Sequence, residues 1–158
     1  MTPAVVSHRT KTQNLATLCK TVASDTSIDS QIQGQLAKGL ILMAAAYIEI
    51  SLREVVGDYC RARSNPSIAK FVSDSVSWEN SLDCRKIKRI LDRLNEGIWA
   101  DFELILGDQG VSAVDSLKTL RDSIAHGRDN GTGYLVATQY FNNVLKFPDH
   151  LKAAMSRY

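Results

Sequence analysis

The sequence predicts an all-α protein, an up-and-down bundle of about four long helices with several short ones. Apolar residues recur at intervals of three and four along most of the chain, which is the spacing of one helix face. Glycine and proline, which interrupt helices, are scarce in the first 60 residues. No repeat, low-complexity tract or long linker divides the chain, so we expect a single helical domain over residues 1–158.

The composition limits the class of protein. The chain has 158 residues, of which 44% are hydrophobic and 23% are charged, so it can bury a core of ordinary size. The formal net charge is only +2, so a nucleic-acid site would need a local cluster of cations. The three cysteines are far apart and lack CxxC spacing. That pattern argues against a metal site and a disulfide framework.

No segment has the pattern of a targeting or membrane-spanning sequence. The N-terminal residues lack the apolar core of a signal peptide. The longest apolar run, 39–48, is too short to cross a bilayer. We therefore expect a cytoplasmic protein that makes no membrane contact, and nothing in the sequence requires a cofactor.

Two helices are predicted in the first part of the chain. Residues 10–24 allow a helix with one apolar side, and in the polar break that follows Ser27 or Asp29 can cap the next helix. Residues 30–63 give the strongest helical pattern, because they contain no proline and carry a broad apolar stripe. We expect this second helix to be the most buried one.

Glu49 interrupts the apolar stretch of the second helix and has two interpretations. One is an ion pair with Arg53, four residues later, which contributes roughly a few tenths of a kcal/mol. The other is a carboxylate kept inside the bundle to orient a functional group. The spacing alone slightly favours the ion pair.

A basic helix is predicted in the middle of the chain. Pro66 ends the second helix, because a residue before proline avoids helical geometry. Residues 67–83 then indicate a short helix and a loop, and Asp83 can cap the helix that follows. Lys88 and Arg89 are among five cations on that helix that could bind RNA phosphates. A solvated basic face is the commoner explanation of such a pattern.

Glycines are predicted to divide the following segment. Gly107 should end a short apolar helix, and residues 108–110 should form a turn. Ser112 should then start a new helix, because it has capping-box spacing with Asp115. A glycine-rich loop over 127–133 should follow that helix.

The C-terminal residues 134–158 include a β-prone stretch, but their apolar residues also have helical spacing. In an otherwise helical chain, a helix is the favoured interpretation. Pro148 should kink or restart it.

The stretch LRDSIAHG, residues 120–127, places an arginine and a histidine at the end of a predicted helix. Arg121 shares a stripe with apolar residues, and its guanidinium cannot lose its charge to suit an apolar site. It must therefore pair with an acid or face a cleft or a partner chain. His126 lies where the helix dipole favours a protonated imidazole, and Gly127 can supply a left-handed stop.

Arginine and histidine together suit phosphodiester chemistry. Arginine binds a phosphate through two N–H groups and stabilises charge that develops in the transition state. Histidine can accept or donate a proton near neutral pH. RNA supplies its own nucleophile, the 2′-hydroxyl, so no metal is required. The spacing alone indicates little, because most such pairs are structural.

These residues resemble the HEPN superfamily. Its mark is an arginine, four to six residues and then a histidine, often with a polar residue directly after the arginine, where this chain has Asp122. The alanine-rich second helix, with LILMAAAYIEISLRE, looks like that of the RiboL-PSP-HEPN group or a closely related HEPN group. The resemblance is best over about 36–126 and covers most of the chain loosely.

The resemblance implies a metal-independent endoribonuclease of the toxin or antiphage-defence kind. HEPN domains usually form homodimers in which two Arg–His motifs line one cleft. Arg121 would bind the scissile phosphate of an RNA substrate, His126 would act as general acid or base, and Asp122 and Glu49 would orient them. The 2′-hydroxyl would attack, leaving a 2′,3′-cyclic phosphate and a 5′-hydroxyl. Such domains often have an antitoxin or regulatory partner that restrains them.

Arg128 departs from one pattern of the superfamily. HEPN toxins that a nucleotidyltransferase silences carry a tyrosine two residues after the histidine, so that form of control is not expected here. Arg128 could contact RNA phosphate or be a solvated loop residue. Two alternatives to an enzyme stay open: a non-catalytic HEPN module that binds RNA, a nucleotide or a protein, and a helical adaptor in which Arg121 forms a core ion pair.

Overall fold

The computed structural model describes residues 2–25, 27–128 and 131–158, and no strand occurs in these ranges. The all-α prediction is confirmed, although part of the predicted glycine-rich loop over 127–133 lies outside the described residues. The helices are α1 (Pro3–Ala23), α2 (Ser30–Arg63), α3 (Pro66–Ser77), α4 (Cys84–Asp92), α5 (Glu96–Ala125), α6 (Tyr134–Val144) and α7 (Phe147–Met155).

Helix α2 is the central element of the bundle, as its apolar stripe predicts. It contacts α1, α3, α5, α6 and α7. Leu40, Tyr47 and Leu52 are fully buried on it, and each such side chain stabilises the fold by about 1.5–3 kcal/mol relative to an exposed one. The hydroxyl of Tyr47 donates a 2.8 Å hydrogen bond to the carbonyl of Leu145, which ties α2 to the junction between α6 and α7.

Local capping explains where several helices begin. The side chains of Asp29 and Asp83 cap α2 and α4, as predicted. Helix α1 begins earlier than the predicted start near residue 10, because the Thr2 hydroxyl accepts a hydrogen bond from the Val5 N–H. Proline in the first turn of α1 also favours this start, since the first N–H groups of a helix lack helical partners.

Helical geometry is interrupted at Gly107, as predicted, but the turn predicted over 108–110 is wrong. Residues 108–110 are helical rather than a turn, and α5 continues through Ser112 with a kink at Gly107, where φ is 71° and ψ is 166°. That conformation is nearly exclusive to glycine, so one residue absorbs the whole change of direction and the helix resumes at once. Asp115 does not complete a cap; its carboxylate accepts a 2.8 Å hydrogen bond from the Cys84 N–H of α4.

The C-terminal region is helical, and α7 begins at Phe147 with Pro148 in its first turn, which confirms the predicted restart. Phe147 packs edge-on against Phe102 of α5, with ring centroids 5.1 Å apart. None of the described helices combines the length and the apolar character needed to cross a membrane.

Candidate functional site

The C-terminal end of α5 carries the Arg–His motif (residues 120–127) and closes with a left-handed glycine, as predicted. Gly127 has a φ of 68°. Its N–H donates to the carbonyl of Ile124 at 3.0 Å, and the Arg128 N–H donates to the carbonyl of Ser123 at 2.9 Å. This pair of bonds is a Schellman closure, which satisfies the last carbonyls of the helix. The closure holds His126 at the helix end.

Arg121 and His126 leave α5 in different directions. Five residues of helix place their Cα atoms about 140° apart around the axis and about 7.5 Å apart along it. The Arg121 side chain is 35% exposed and contacts Asp122. His126 is exposed, and in the described part of the chain its ring has no hydrogen-bond partner. Both groups are therefore accessible to a ligand.

Asp122 is the anion that holds Arg121. Its Oδ1 accepts a 2.5 Å hydrogen bond from the Ser81 hydroxyl and a 3.2 Å bond from Arg121 Nη1. Its Oδ2 lies 3.1 Å from Lys118 Nζ. The Ser81 hydrogen bond, helped by Lys118 and Arg121, lowers the pKa of Asp122 to about 2. The carboxylate is therefore ionised throughout the neutral range.

Ser81 links two helices at this position. It lies in the α3–α4 loop (residues 78–83), where its hydroxyl binds Asp122 of α5 and its N–H donates a 2.8 Å hydrogen bond to Glu49 Oε1 of α2. Ser81 has a φ of 53°, an uncommon value for a residue other than glycine. Such a conformation persists where its surroundings determine it, often at functional sites. Nothing local in the sequence marks this serine, and sequence reasoning missed it.

Glu49 has features both of an ion pair with Arg53 and of a carboxylate kept inside the bundle to orient a functional group. Its Oε2 lies 3.9 Å from Arg53 Nη2, at the outer limit of an ion pair, and its side chain is only 15% exposed. The shorter contact is the one with the Ser81 N–H. The structure therefore brings Glu49 close to Asp122 through Ser81, whereas Arg53 instead donates to the α3–α4 loop at the carbonyl of Glu79. A functional role for Glu49 stays a prediction.

The cations predicted to bind RNA are on the surface of α4 and beyond α5. Lys88 Nζ lies 2.7 Å from Asp92, and Arg89 Nη2 lies 2.9 Å from Glu79. Exposed ion pairs of this kind contribute only about 0–1 kcal/mol, so a phosphate can replace the carboxylate. Arg128 is exposed, with no ion pair in the described ranges. Phosphate contacts by these residues also stay predictions.

A family model described as RiboL-PSP-HEPN matches residues 9–156, which is nearly the whole chain. The chain belongs to the RiboL-PSP-HEPN family. The resemblance seen in the sequence is confirmed at the level of the domain, and the family suggests a nuclease or another RNA-related role. No curated protein and no solved structure matches this HEPN chain. The match does not test the roles of Arg121 and His126.

The remaining reactive side chains of the HEPN domain are not clustered. No group of three His, Cys, Asp or Glu residues that could hold a metal ion occurs among the residues described. The cysteines are buried and unpaired. Burial raises the pKa of the Cys84 thiol, which lies beside the Asp115 carboxylate. A neutral, buried thiol is a poor nucleophile, so the accessible polar groups at the end of α5 are the better candidates for chemistry.

We predict that Asp122→Asn makes the free energy of unfolding of this HEPN domain less dependent on pH. A carboxyl group with a lowered pKa in the folded chain adds stability above its unfolded pKa, about 4, and loses that stability as pH falls through the folded value. For Asp122 the folded pKa is about 2. The difference in unfolding free energy between wild type and Asp122→Asn should therefore be greatest above about pH 4 and shrink toward about pH 2.

Urea unfolding at several pH values measures this difference. Ser81→Ala is the informative second variant, because it removes the largest cause of the lowered pKa while it keeps the carboxylate. In that variant the pH-dependent part of the stability should be smaller than in wild type, and its loss should be complete at a higher pH. A difference between wild type and Asp122→Asn that stays constant across the range would contradict the proposed contacts of Asp122.

Proposed function

We propose that this HEPN domain is a metal-independent endoribonuclease of the toxin or antiphage-defence kind. The observation that carries the proposal is the combination of Arg121, anchored by Asp122, with an exposed His126 at the end of the same helix, whose ring has no hydrogen-bond partner among the residues described. Membership of the HEPN family supports the RNA-related class.

Arg121 would bind the scissile phosphate. Only Nη1 of its guanidinium contacts Asp122, so the other N–H groups can bind two phosphate oxygens. Asp122 is itself held by Ser81 and Lys118, and this arrangement fixes the direction of the guanidinium. A preorganised cation stabilises the extra negative charge of a pentacoordinate phosphorane without reorganising during the reaction.

His126 would move the protons. An unprotonated imidazole accepts the proton of the 2′-hydroxyl, whose oxygen attacks phosphorus. The bond from phosphorus to the 5′-oxygen breaks, and a protonated imidazole donates a proton to that leaving oxygen. The products are a 2′,3′-cyclic phosphate and a 5′-hydroxyl. The imidazole that accepted the 2′-hydroxyl proton is the one that donates it, so a single His126 returns to its starting state after each cleavage.

A second copy of the chain would complete the site. Because Arg121 and His126 leave α5 about 140° apart, one helix end does not direct both at the same phosphate. A two-fold axis beside the end of α5 would bring Arg121 of one protomer toward His126 of the partner subunit. The proposal also includes a single domain, a cytoplasmic location and an antitoxin or regulatory protein that restrains the nuclease.

Cleavage of a 5′-labelled RNA in the presence of EDTA tests the chemistry. We expect fragments whose 3′ ends resist phosphatase until acid opens the cyclic phosphate, and 5′ ends that polynucleotide kinase can label directly. The control is the double variant Arg121→Ala/His126→Ala, purified in the same way to exclude contaminating nucleases. Cleavage that appears only when magnesium is added would refute the metal-independent mechanism. Binding without cleavage would favour the non-catalytic HEPN module.

A further inference from the structure

Trp78, at the start of the α3–α4 loop, is exposed to an unusual degree. It is 82% exposed, more than any other large hydrophobic residue that the structure describes. By contrast, Trp99 is 7% exposed and packs against Phe102. An indole left in water forgoes roughly 1.5–3 kcal/mol of burial. The Trp78 ring is therefore available to a ligand that covers it.

The loop that carries Trp78 is held in place rather than loose. Arg53 of α2 donates to the carbonyl of Glu79 at 3.1 Å and to Asn80 Oδ1 at 2.9 Å. Lys86 of α4 donates to the carbonyl of Asn80 at 2.8 Å. These bonds fix the backbone beside Trp78, so a ligand that binds the ring needs to order the side chain but not the loop.

The same loop reaches the Arg–His motif. Ser81 is three residues after Trp78 and binds Asp122 directly, which in turn binds Arg121. Three residues of chain span at most about 11 Å. That distance corresponds to a few stacked nucleotides at about 3.4 Å each. The contacts from Ser81 through Asp122 to Arg121 add to this distance, so a strand of several nucleotides is long enough to reach from the Arg121 guanidinium to the loop position of Trp78.

Two arginines of α4 pair with carboxylates of the α3–α4 loop that carries Trp78, Arg89 with Glu79 and Arg85 with Asp83. Arg89 pairs with Glu79, the residue after Trp78, and its side chain is 53% exposed. The Arg85 side chain is 88% exposed. Proteins that bind single-stranded nucleic acid combine an aromatic surface for the bases with cations for the phosphates. A protein partner would fit the exposed ring but leaves the adjacent cations without a role.

We propose that Trp78 is a stacking platform for a base of single-stranded RNA, next to the scissile phosphate bound by Arg121. This inference rests on the proposed function and specifies its substrate. The bases of an A-form duplex are stacked on one another and are not free to cover an indole. Single-stranded segments are therefore the substrate, with tolerance for the identity of the stacked base.

The test uses the full chain with His126→Ala, which prevents turnover during binding. Two fluorescent probes are compared by anisotropy: an oligouridylate and an abasic oligonucleotide of equal length. We expect Trp78→Ala to weaken oligouridylate binding by roughly five- to one-hundred-fold and to leave abasic binding within about two-fold. Trp78→Phe should retain most of the affinity. Leu104→Ala, which removes a side chain that is 79% exposed on α5, is the matched control and should change neither affinity.

Three outcomes would overturn the stacking platform. The first is that Trp78→Ala loses affinity equally for both probes, and the second is that it loses affinity for neither. The third is that Trp78→Ala changes the chain from dimer to monomer in sedimentation without a selective loss of oligouridylate binding. The last would identify a protein-docking surface. Base-dependent binding by a wild-type chain that never cleaves RNA would support the platform and refute the nuclease. Failure of the stacking platform can therefore be distinguished from failure of the proposed nuclease function.

Discussion

Replacing Arg121 with alanine is expected to abolish RNA cleavage and to leave the helical fold intact. Removing one preorganised donor from a developing oxyanion costs about 10²–10³-fold in rate, and removal of a cation should cost at least as much. The fold should tolerate the change, because the side chain is 35% exposed and Asp122 is its only ion-pair or hydrogen-bond partner in the described ranges. Single-turnover cleavage and circular dichroism measure the two effects.

Two further arginine variants test whether the loss of cleavage is specific to the guanidinium of Arg121. Arg121→Lys keeps the charge but loses the planar pair of donors, so it should recover only part of the rate. Arg61→Ala removes an exposed arginine that pairs with Asp58 on α2, and it should cleave RNA at the wild-type rate. Cleavage by Arg121→Ala at more than about a tenth of the wild-type rate would exclude a phosphate-binding role for Arg121.

Mixing two inactive variants tests the composite site. His126→Ala should be as inactive as Arg121→Ala. In a heterodimer of the two variants, one of the two cleft sites would contain Arg121 from one chain and His126 from the other. Random exchange would then restore about a quarter of the wild-type sites. If subunit exchange is demonstrated and no activity returns, Arg121 and His126 do not act across a dimer.

Phe102→Ala is expected to cause a large loss of stability, about 3–5 kcal/mol in the free energy of unfolding. Phe102 is fully buried and packs edge-on against Trp99 at 6.0 Å and Phe147 at 5.1 Å between ring centroids. Its removal leaves a cavity between α5 and α7 that neighbouring rings cannot fill without changing their geometry. Urea unfolding followed by circular dichroism measures the change.

Phe71→Ala is the matched control, because Phe71 is 73% exposed on α3. The same deletion there should change the free energy of unfolding by no more than about 0.5 kcal/mol. Since Phe102 lies in the first half of α5, away from the Arg–His motif, the folded fraction of Phe102→Ala should still cleave RNA. Equal stability of the two phenylalanine variants would contradict the packing of α5 against α7.

The sequence by itself determined the helical class, the extent of α2 and several helix ends. Asp83 caps α4 and Gly127 closes α5 through hydrogen bonds to residues close by in the chain. The apolar stripe of α2 likewise depends only on helical spacing. These features are local, so the order of residues is enough to predict them. The Arg–His motif was visible for the same reason, since both residues lie within six consecutive positions.

Only the tertiary structure decided what surrounds that motif. Ser81 joins Glu49 to Asp122 across separations of 32 and 41 residues, and no local pattern predicts a hydrogen bond over such a distance. Gly107 interrupts α5 as predicted, but the turn predicted over 108–110 does not form, because this one glycine makes the change of direction and buried side chains lie on the helix on both sides of it. Whether a polar residue such as Ser81 lies beside the motif depends on contacts between distant segments, which form only when the chain folds.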